Sequence, residues 1–338
     1  MFAYVIRRMF SGLIMLVVMS FVTFLLFFNG AVDPVRFTCG KACTPTVLET
    51  NRKTLGFDDP VPVQYGKFVK GIFVGRNYPD DPELAKTSPE TIARCDAPCL
   101  GYSPQQSATV TSVIGDKIPV SVSLAIAAFI LWIVFGVLFG VIAALNKGKF
   151  LDKLLVGGSL LFFAFPTFWI GSFAYRFIAV RWELLPVPEY VSIADGGVGA
   201  WALGLFLPAL TLALFYMAGY VRITRAYVLE SMSEDYLRTA KAKGLQPRKI
   251  LWKHTMRAAL TPLVTIAGLD FAALFAGAII TESVFNYDAL GKLARDAATT
   301  WDLPITVGIV LLLATFVIIA NIIVDVLYAV IDPRVKYV

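Results

Sequence analysis

Four cysteines, one histidine and a few carboxylates set in apolar sequence are the residues whose chemistry depends on placement. Cys39 and Cys43, and Cys95 and Cys99, form two C-x-x-x-C pairs. Metal sites more often use C-x-x-C and recruit histidines, and the single histidine, His254, stands far away in another segment. Disulfides are the expected chemistry if the segment lies in an oxidising compartment. Four cysteines allow three pairings, and spacing does not choose among them. Asp270 lies in the middle of an apolar block, where a charge is costly and faces a cavity or a partner. Asp270, Ala273 and Gly277 share one helical face, whose small residues leave room for a path or a close helix. Two readings stand. Asp270 lines a path and meets a substrate amino group, or it pairs with a neighbouring helix through Arg176. Glu282 and Asp325 read as structural, and Asn321 and Asp325 are expected to bond Arg222 or Arg225. His254 reads as an interface or capping residue. The chain has no G-x-x-x-x-G-K-[ST], H-E-x-x-H or G-x-S-x-G sequence, so it has no phosphate loop of its own. An intramembrane enzyme, the rival from another class, would need a second carboxylate, a nucleophile or a metal beside Asp270.

The elements that must position these groups are membrane spans. Of the 338 residues 57% are hydrophobic and only 16% charged, against about a quarter charged in soluble chains, and the mean hydropathy is +0.71. The apolar residues fall into blocks near 9–29, 119–145, 154–180, 201–221, 259–282 and 304–328. Each is long enough to cross about 30 Å of hydrocarbon, and each must be helical because lipid offers the backbone no partners. Pro166 and Pro208 are expected to kink their spans. The first block follows Arg7 and Arg8 but is too long for a signal-peptide core and has no small-x-small site after it, so it reads as an uncleaved span. The net charge of +6 is concentrated in alternate loops: Lys147, Lys149 and Lys153, the segment 222–258, and the tail with Arg334 and Lys336. Positive charge in short loops marks the cytoplasmic side. Both termini are then inside, residues 30–118 lie outside, and a nucleic-acid surface is excluded. The expected organisation is 1–29, cytoplasmic N-terminus and first span; 30–118, an extracellular segment with all four cysteines; and 119–338, the remaining spans. Within 30–118, Thr44 to Leu55 and Val63 to Phe73 are expected to form short helices of a small cap.

The segment from Glu234 to His254 is polar, basic and too long for a turn. Ser231 and Glu234 form a capping-box pattern that would start a helix. Gly244 would stop it, and Gln246-Pro247 would open a second with proline at its first position. Ile250, Leu251 and Thr255 then share a face, with Arg248, Lys249 and Lys253 mostly on another. Such a helix–turn–helix either docks a cytosolic protein or lies on anionic lipid.

Tyr236-Leu-Arg-Thr-Ala-Lys-Ala-Lys-Gly-Leu245, followed by His254 and Arg257-Ala-Ala-Leu-Thr-Pro262, resembles the EAA loop of ABC importers in its dipeptide, oligopeptide and nickel branch. Arg238-Thr239-Ala240 stands where the general motif has Glu-Ala-Ala. Tyr4-Val-Ile-Arg-Arg8, Leu55-Gly-Phe-Asp-Asp-Pro60, Pro166-Thr-Phe-Trp-Ile-Gly171, Thr281-Glu-Ser-Val-Phe285 and Asp332-Pro-Arg-Val335 extend the resemblance along nearly the whole chain. It points to a B-type permease subunit of a bacterial cell membrane. The implied fold is an all-α membrane protein, with six transmembrane helices of the type I ABC importer (MetI-like) permease fold and an extracellular insertion between helices 1 and 2. The implied partners are a homologous C-type permease, two cytosolic ABC ATPase subunits holding ATP and Mg, an extracytoplasmic peptide-binding protein and the lipid bilayer. Tyr236, Arg238, Thr239, Ala240, Lys241, Gly244, Leu245 and His254 become the coupling residues. The substrate implied is a di- or oligopeptide, with nickel as the alternative within the same branch. Relative to the family, about 76–98 looks inserted. The insertion carries Cys95 and ends beside Cys99, and the expectation is that two disulfides join 39–43 to 95–99.

Overall fold

The computed structural model describes residues 2–28, 35–36, 44–79 and 92–331. Cys39, Cys43 and the Asp332 to Val335 motif lie outside the described residues. All six apolar blocks are helical. They lie in α1 (Phe2–Phe28), α5 (Ile118–Leu145), the pair α6 (Phe150–Ala164) and α7 (Thr167–Phe173, continuing as a π-helical turn to Arg181), α8 (Ile193–Ser233), α11 (Met256–Val284) and α13 (Leu303–Ile331). Among the described residues four helices are long and apolar enough to cross a membrane, or five if the bent α6–α7 pair is one span; the block 259–282 lies in the 29-residue α11. The chain divides into two compact units, one of residues 1–5, 120–287 and 319–338, the other of residues 6–119 and 288–318.

In the second unit, the two short helices expected between the first two apolar blocks are present. Helix α2 (Pro45–Leu55) starts on Thr44, whose side chain accepts the Val47 amide, and ends on Gly56 in the left-handed region. Helix α3 (Val61–Val74) packs Phe68 against Phe24, Val307 and Leu311, and its Tyr65 hydroxyl lies 2.7 Å from Ser20 Oγ of α1. Strands β1 (Arg76–Tyr78) and β2 (Ala93–Cys95) pair antiparallel with Arg76 opposite Cys95. Gly75 enters that hairpin with φ +81°, and a Cβ there would stand 2.8 Å from the Cys95 carbonyl oxygen, so only glycine fits. Strands β3 (Tyr102–Ser103) and β4 (Ala108–Thr109) form a second small hairpin leading into α4 (Val110–Gly115). Val110 and Ile114 share a core with Leu290 and Leu293 of α12 (Leu290–Thr300) and Ile305 and Ile309 of α13. Ser103 Oγ donates to the buried Asp302 carboxylate, and Lys117 pairs with Asp288. The cysteine pairing corrects the sequence expectation. Cys95 is bonded to Cys99, both buried beside Tyr78 and Tyr102, so neither is left to bond Cys39 or Cys43. The chain turns back on itself between β2 and β3, which brings the two cysteines, four residues apart, to a Cα–Cα distance of 5.4 Å.

In the first unit, α5 and α8 meet through glycine. A Cβ on Gly136 would lie 2.7 Å from Tyr220 Cβ, and one on Gly140 would lie 2.5 Å from Thr224 Cβ. Helices approach this closely only where side chains are missing, the small-xxx-small arrangement of membrane spans. Nearer the 222–258 loop, Val141 and Ala144 of α5 pack with Val228, Met256 and Ala259. The block 154–180 is broken as well as kinked. Phe165 takes an extended conformation before Pro166, and α6 and α7 meet at 98°. Proline has no amide to continue the ladder and drives the residue before it out of the helical region. Pro208, expected to kink its span, sits inside α8 with helical backbone, and the break in that helix falls instead at Gly197, with φ +73°.

Candidate functional site

The loop 234–257 folds as the helix–turn–helix that its residues suggest. Helix α9 (Asp235–Ala242) is followed by Gly244 at φ +73°, then α10 (Pro247–Lys249), which runs through a π-helical turn, Ile250–Thr255, into α11. Pro247 holds the first helical position as expected. The start differs: Ser231 is still inside α8, and Glu234 caps α9 by backbone conformation without a side-chain bond. Helix α8 therefore continues through the predicted capping box and hands over to α9 across a single residue.

The underside of this motif is a small core of Leu237, Ala240 and Ile250 with Leu245 packed against it. The predicted loop residues thus divide. Ala240 and Leu245 hold the two helices together. Tyr236 (46% exposed), Arg238, Thr239 and Lys241 face outward. Arg238 makes an exposed ion pair with Asp235 one turn back, and Thr239 Oγ1 donates to the Asp235 carbonyl. His254 is half-buried on the π-helical turn. Sequence reasoning passed over Trp252, which is 61% exposed on that same turn. The signal was available: a large aromatic in a polar, basic loop has no burial reason to be there.

Asp270 occupies a second polar position, on α11. Tyr220 Oη donates to its Oδ2 at 2.8 Å. Tyr220 lies against the fully buried Trp132, which stacks on Tyr216 at 4.5 Å between ring centroids, and Phe129 meets Phe271 edge-on. The expected partner Arg176 is exposed and makes no contact with Asp270; a phenol on α8 satisfies the carboxylate instead. Asp270 is half-buried and Ala273 exposed, while Gly277 lies one turn further along α11. Arg225, expected to bond Asn321 or Asp325, is taken by Asp152, and Arg222 lies over the Phe163 ring.

Comparison with known proteins agrees with the resemblance. Residues 136–337 match the family described as binding-protein-dependent transport system inner membrane component, and residues 1–125 match the N-terminal region described for such components. The chain is 33% identical, over 99% of both sequences, to a probable peptide ABC transporter permease protein, y4tP, of Sinorhizobium fredii. It is 32% identical to a putative peptide transport system permease protein of Brucella abortus over the full length of both. The dipeptide transport system permease protein DppB of Escherichia coli is 31% identical over 90% of each chain. Among solved structures, an inward-facing MetNI methionine ABC transporter superposes with a TM-score of 0.52 at 15% identity, covering 66% of this chain and 97% of that one. That likeness concerns the fold alone.

Proposed function

The chain belongs to the binding-protein-dependent transport system inner membrane component family, and from that premise we propose that it is the permease subunit of an ATP-driven importer of di- or oligopeptides. The relatives named for peptide transport support the substrate class. The observation that carries the reading is the 234–257 loop: a helix pair with its own small core, projecting a polar and aromatic face between two spans. A loop that only had to reverse the chain would need neither the core nor the exposed Tyr236 and Trp252.

In this reading both termini and the 222–258 loop are cytoplasmic, and 30–118 forms an external cap. Two ATPase subunits bind and hydrolyse ATP with Mg, and one of them receives Tyr236, Arg238, Thr239 and Lys241. Ala240, Gly244 and Leu245 fix the shape of that surface, with His254 at its edge. A homologous permease completes the path, and an extracytoplasmic peptide-binding protein delivers substrate over the cap. Asp270, oriented by Tyr220, meets the substrate ammonium group where Ala273 and Gly277 leave space. Closure of the ATPases on ATP moves the loop and switches the path from inward to outward access.

The test is purification of the chain from its native membrane with identification of what accompanies it, followed by reconstitution in vesicles. ATP-dependent uptake of a labelled dipeptide, with ATPase subunits present, is the expected result. A chain that purifies without an ATPase and transports nothing overturns the reading.

A further inference from the structure

Asp152 is 4% exposed, and both of its oxygens are engaged. Arg225 Nε and Nη2 donate to Oδ1 and Oδ2 at 2.6 and 2.8 Å, and the Gly148 amide donates to Oδ2 at 2.8 Å. The pair joins positions 73 residues apart in sequence. Asp152 stands in the first turn of α6, just after the turn at 146–149. Arg225 stands on α8 about 12 Å of helix before its end at Ser233. From that end the chain passes through Glu234 alone into α9 of the exposed loop. In the other direction α6 runs from the pair to the break at Phe165–Pro166.

Asp152 is buried and the Arg225 side chain is 28% exposed, and such a part-buried pair is weak grounds for stability, because desolvation and solvent screening offset the attraction and an apolar pair would hold two helices as well. The planar fork of arginine on a carboxylate adds direction: two parallel hydrogen bonds resist sliding and rotation of one helix on the other. The third bond, from Gly148, fixes the carboxylate to the turn that starts α6, so the whole end of that helix is held.

We propose that Asp152 and Arg225 are a positioning pair that makes α6, and with it the bend at Phe165–Pro166, move together with the 234–257 loop. The inference rests on the importer reading, since it supplies the link from a displaced loop to a broken span. Neither residue touches substrate or nucleotide.

The experiment uses the complete transporter in proteoliposomes, with labelled dipeptide imported and ATP hydrolysed measured together. Asp152→Asn and Arg225→Gln are expected to lower the import per ATP about fivefold or more while hydrolysis continues. Arg225→Lys, which keeps the charge and loses the fork, is expected to lie between them and the wild type. The exchange Asp152→Arg with Arg225→Asp should recover part of the loss. Single variants with the wild-type ratio, or an exchange no better than the singles, overturn the proposal. If the single variants do not accumulate, Arg225→Lys decides alone: a lowered ratio supports the pair and an unchanged ratio overturns it. If even the wild-type complex imports no peptide, the importer reading falls, and spin labels on α6 and α9 still test the pair. A narrow distance distribution that broadens in Asp152→Asn supports it, and one equally narrow in both overturns it.

Discussion

Replacing Gly140 by alanine puts a methyl carbon 2.5 Å from Thr224 Cβ and 2.9 Å from the Val221 carbonyl oxygen. Carbon atoms in contact rest about 3.5–4.0 Å apart, so α5 and α8 must separate by roughly 1 Å. No rotamer change relieves the overlap, because one neighbour is a Cβ and the other is backbone. Overpacking of this kind destabilises by about 1–3 kcal/mol. Alanine also favours the helix over glycine by about 1 kcal/mol, which partly hides the loss. Gly219→Ala removes that ambiguity: it lies on α8 with nothing within 4 Å of the added carbon, so it takes the helix gain without the overlap. The two variants should therefore differ by about 1–3 kcal/mol. At about 2–4 °C per kcal/mol for domains of 150–250 residues, that is a gap of several degrees in Tm. The assay is thermal unfolding of the isolated chain in detergent, followed by size-exclusion fluorescence. A Gly140→Ala chain that melts at or above Gly219→Ala refutes the argument that backbone approach sets this seam.

Gly244 sits at φ +73° in open space, so conformation alone constrains it. Gly244→Ala should cost about 1 kcal/mol and import almost normally, whereas Gly244→Pro, locked near φ −65°, should insert in the membrane yet abolish peptide-dependent ATP use in reconstituted vesicles. Asp270→Asn should depress uptake of peptides with a free amino terminus about tenfold more than of acetylated ones, the equivalent of about 1.4 kcal/mol. Tyr220→Phe, which leaves the charge but frees its orientation, should show a smaller effect with the same preference, read by competition uptake. Burial pushes the Asp302 carboxyl above the usual carboxylate range, against the opposing bonds from Ser103 and the Ile305 amide. The folded state then holds that proton more tightly than the unfolded state. Its contribution is full below the ordinary carboxylate pKa and is lost as pH rises through the raised one. Thermal unfolding followed across that range should show Tm falling with rising pH, and Asp302→Asn should flatten the profile.

The spans and the loop were legible because each rests on local rules. Twenty apolar residues fix a helix in lipid, and Gly244 and Pro247 punctuate a helix pair through their own backbone preferences. The residues that act across the fold were harder to read. Nothing near Asp270 in sequence indicates Tyr220, fifty positions away. Charge complementarity alone suggests arginine, whereas a phenol supplies the bond without importing a second charge into an apolar setting. Arg225 was matched to Asn321 or Asp325 by depth, yet Asp152 at the start of α6 takes it. The closeness of Gly136 and Gly140 to α8 was readable from a four-residue spacing that carried no chemistry and so drew no attention. The cysteine expectation failed because it weighed only where the insertion begins and ends, while the turn after β2 sets Cys99 within 5.4 Å of Cys95 between Cα atoms.

The β1–β2 hairpin sets Arg76 opposite Cys95, so the stretch 76–98 leaves and rejoins the second unit at neighbouring points. A segment with adjacent ends is a pendant on the chain, and its gain or removal asks the flanking helices for no change in span. Its closing bond, Cys95–Cys99, lies entirely within the exit. That stretch can in this way be altered while the flanking helices stay as they are. For protein engineering, the stretch between Tyr78 and Ala93, whose ends the hairpin holds opposite each other, is accordingly the place to graft a label or an affinity domain.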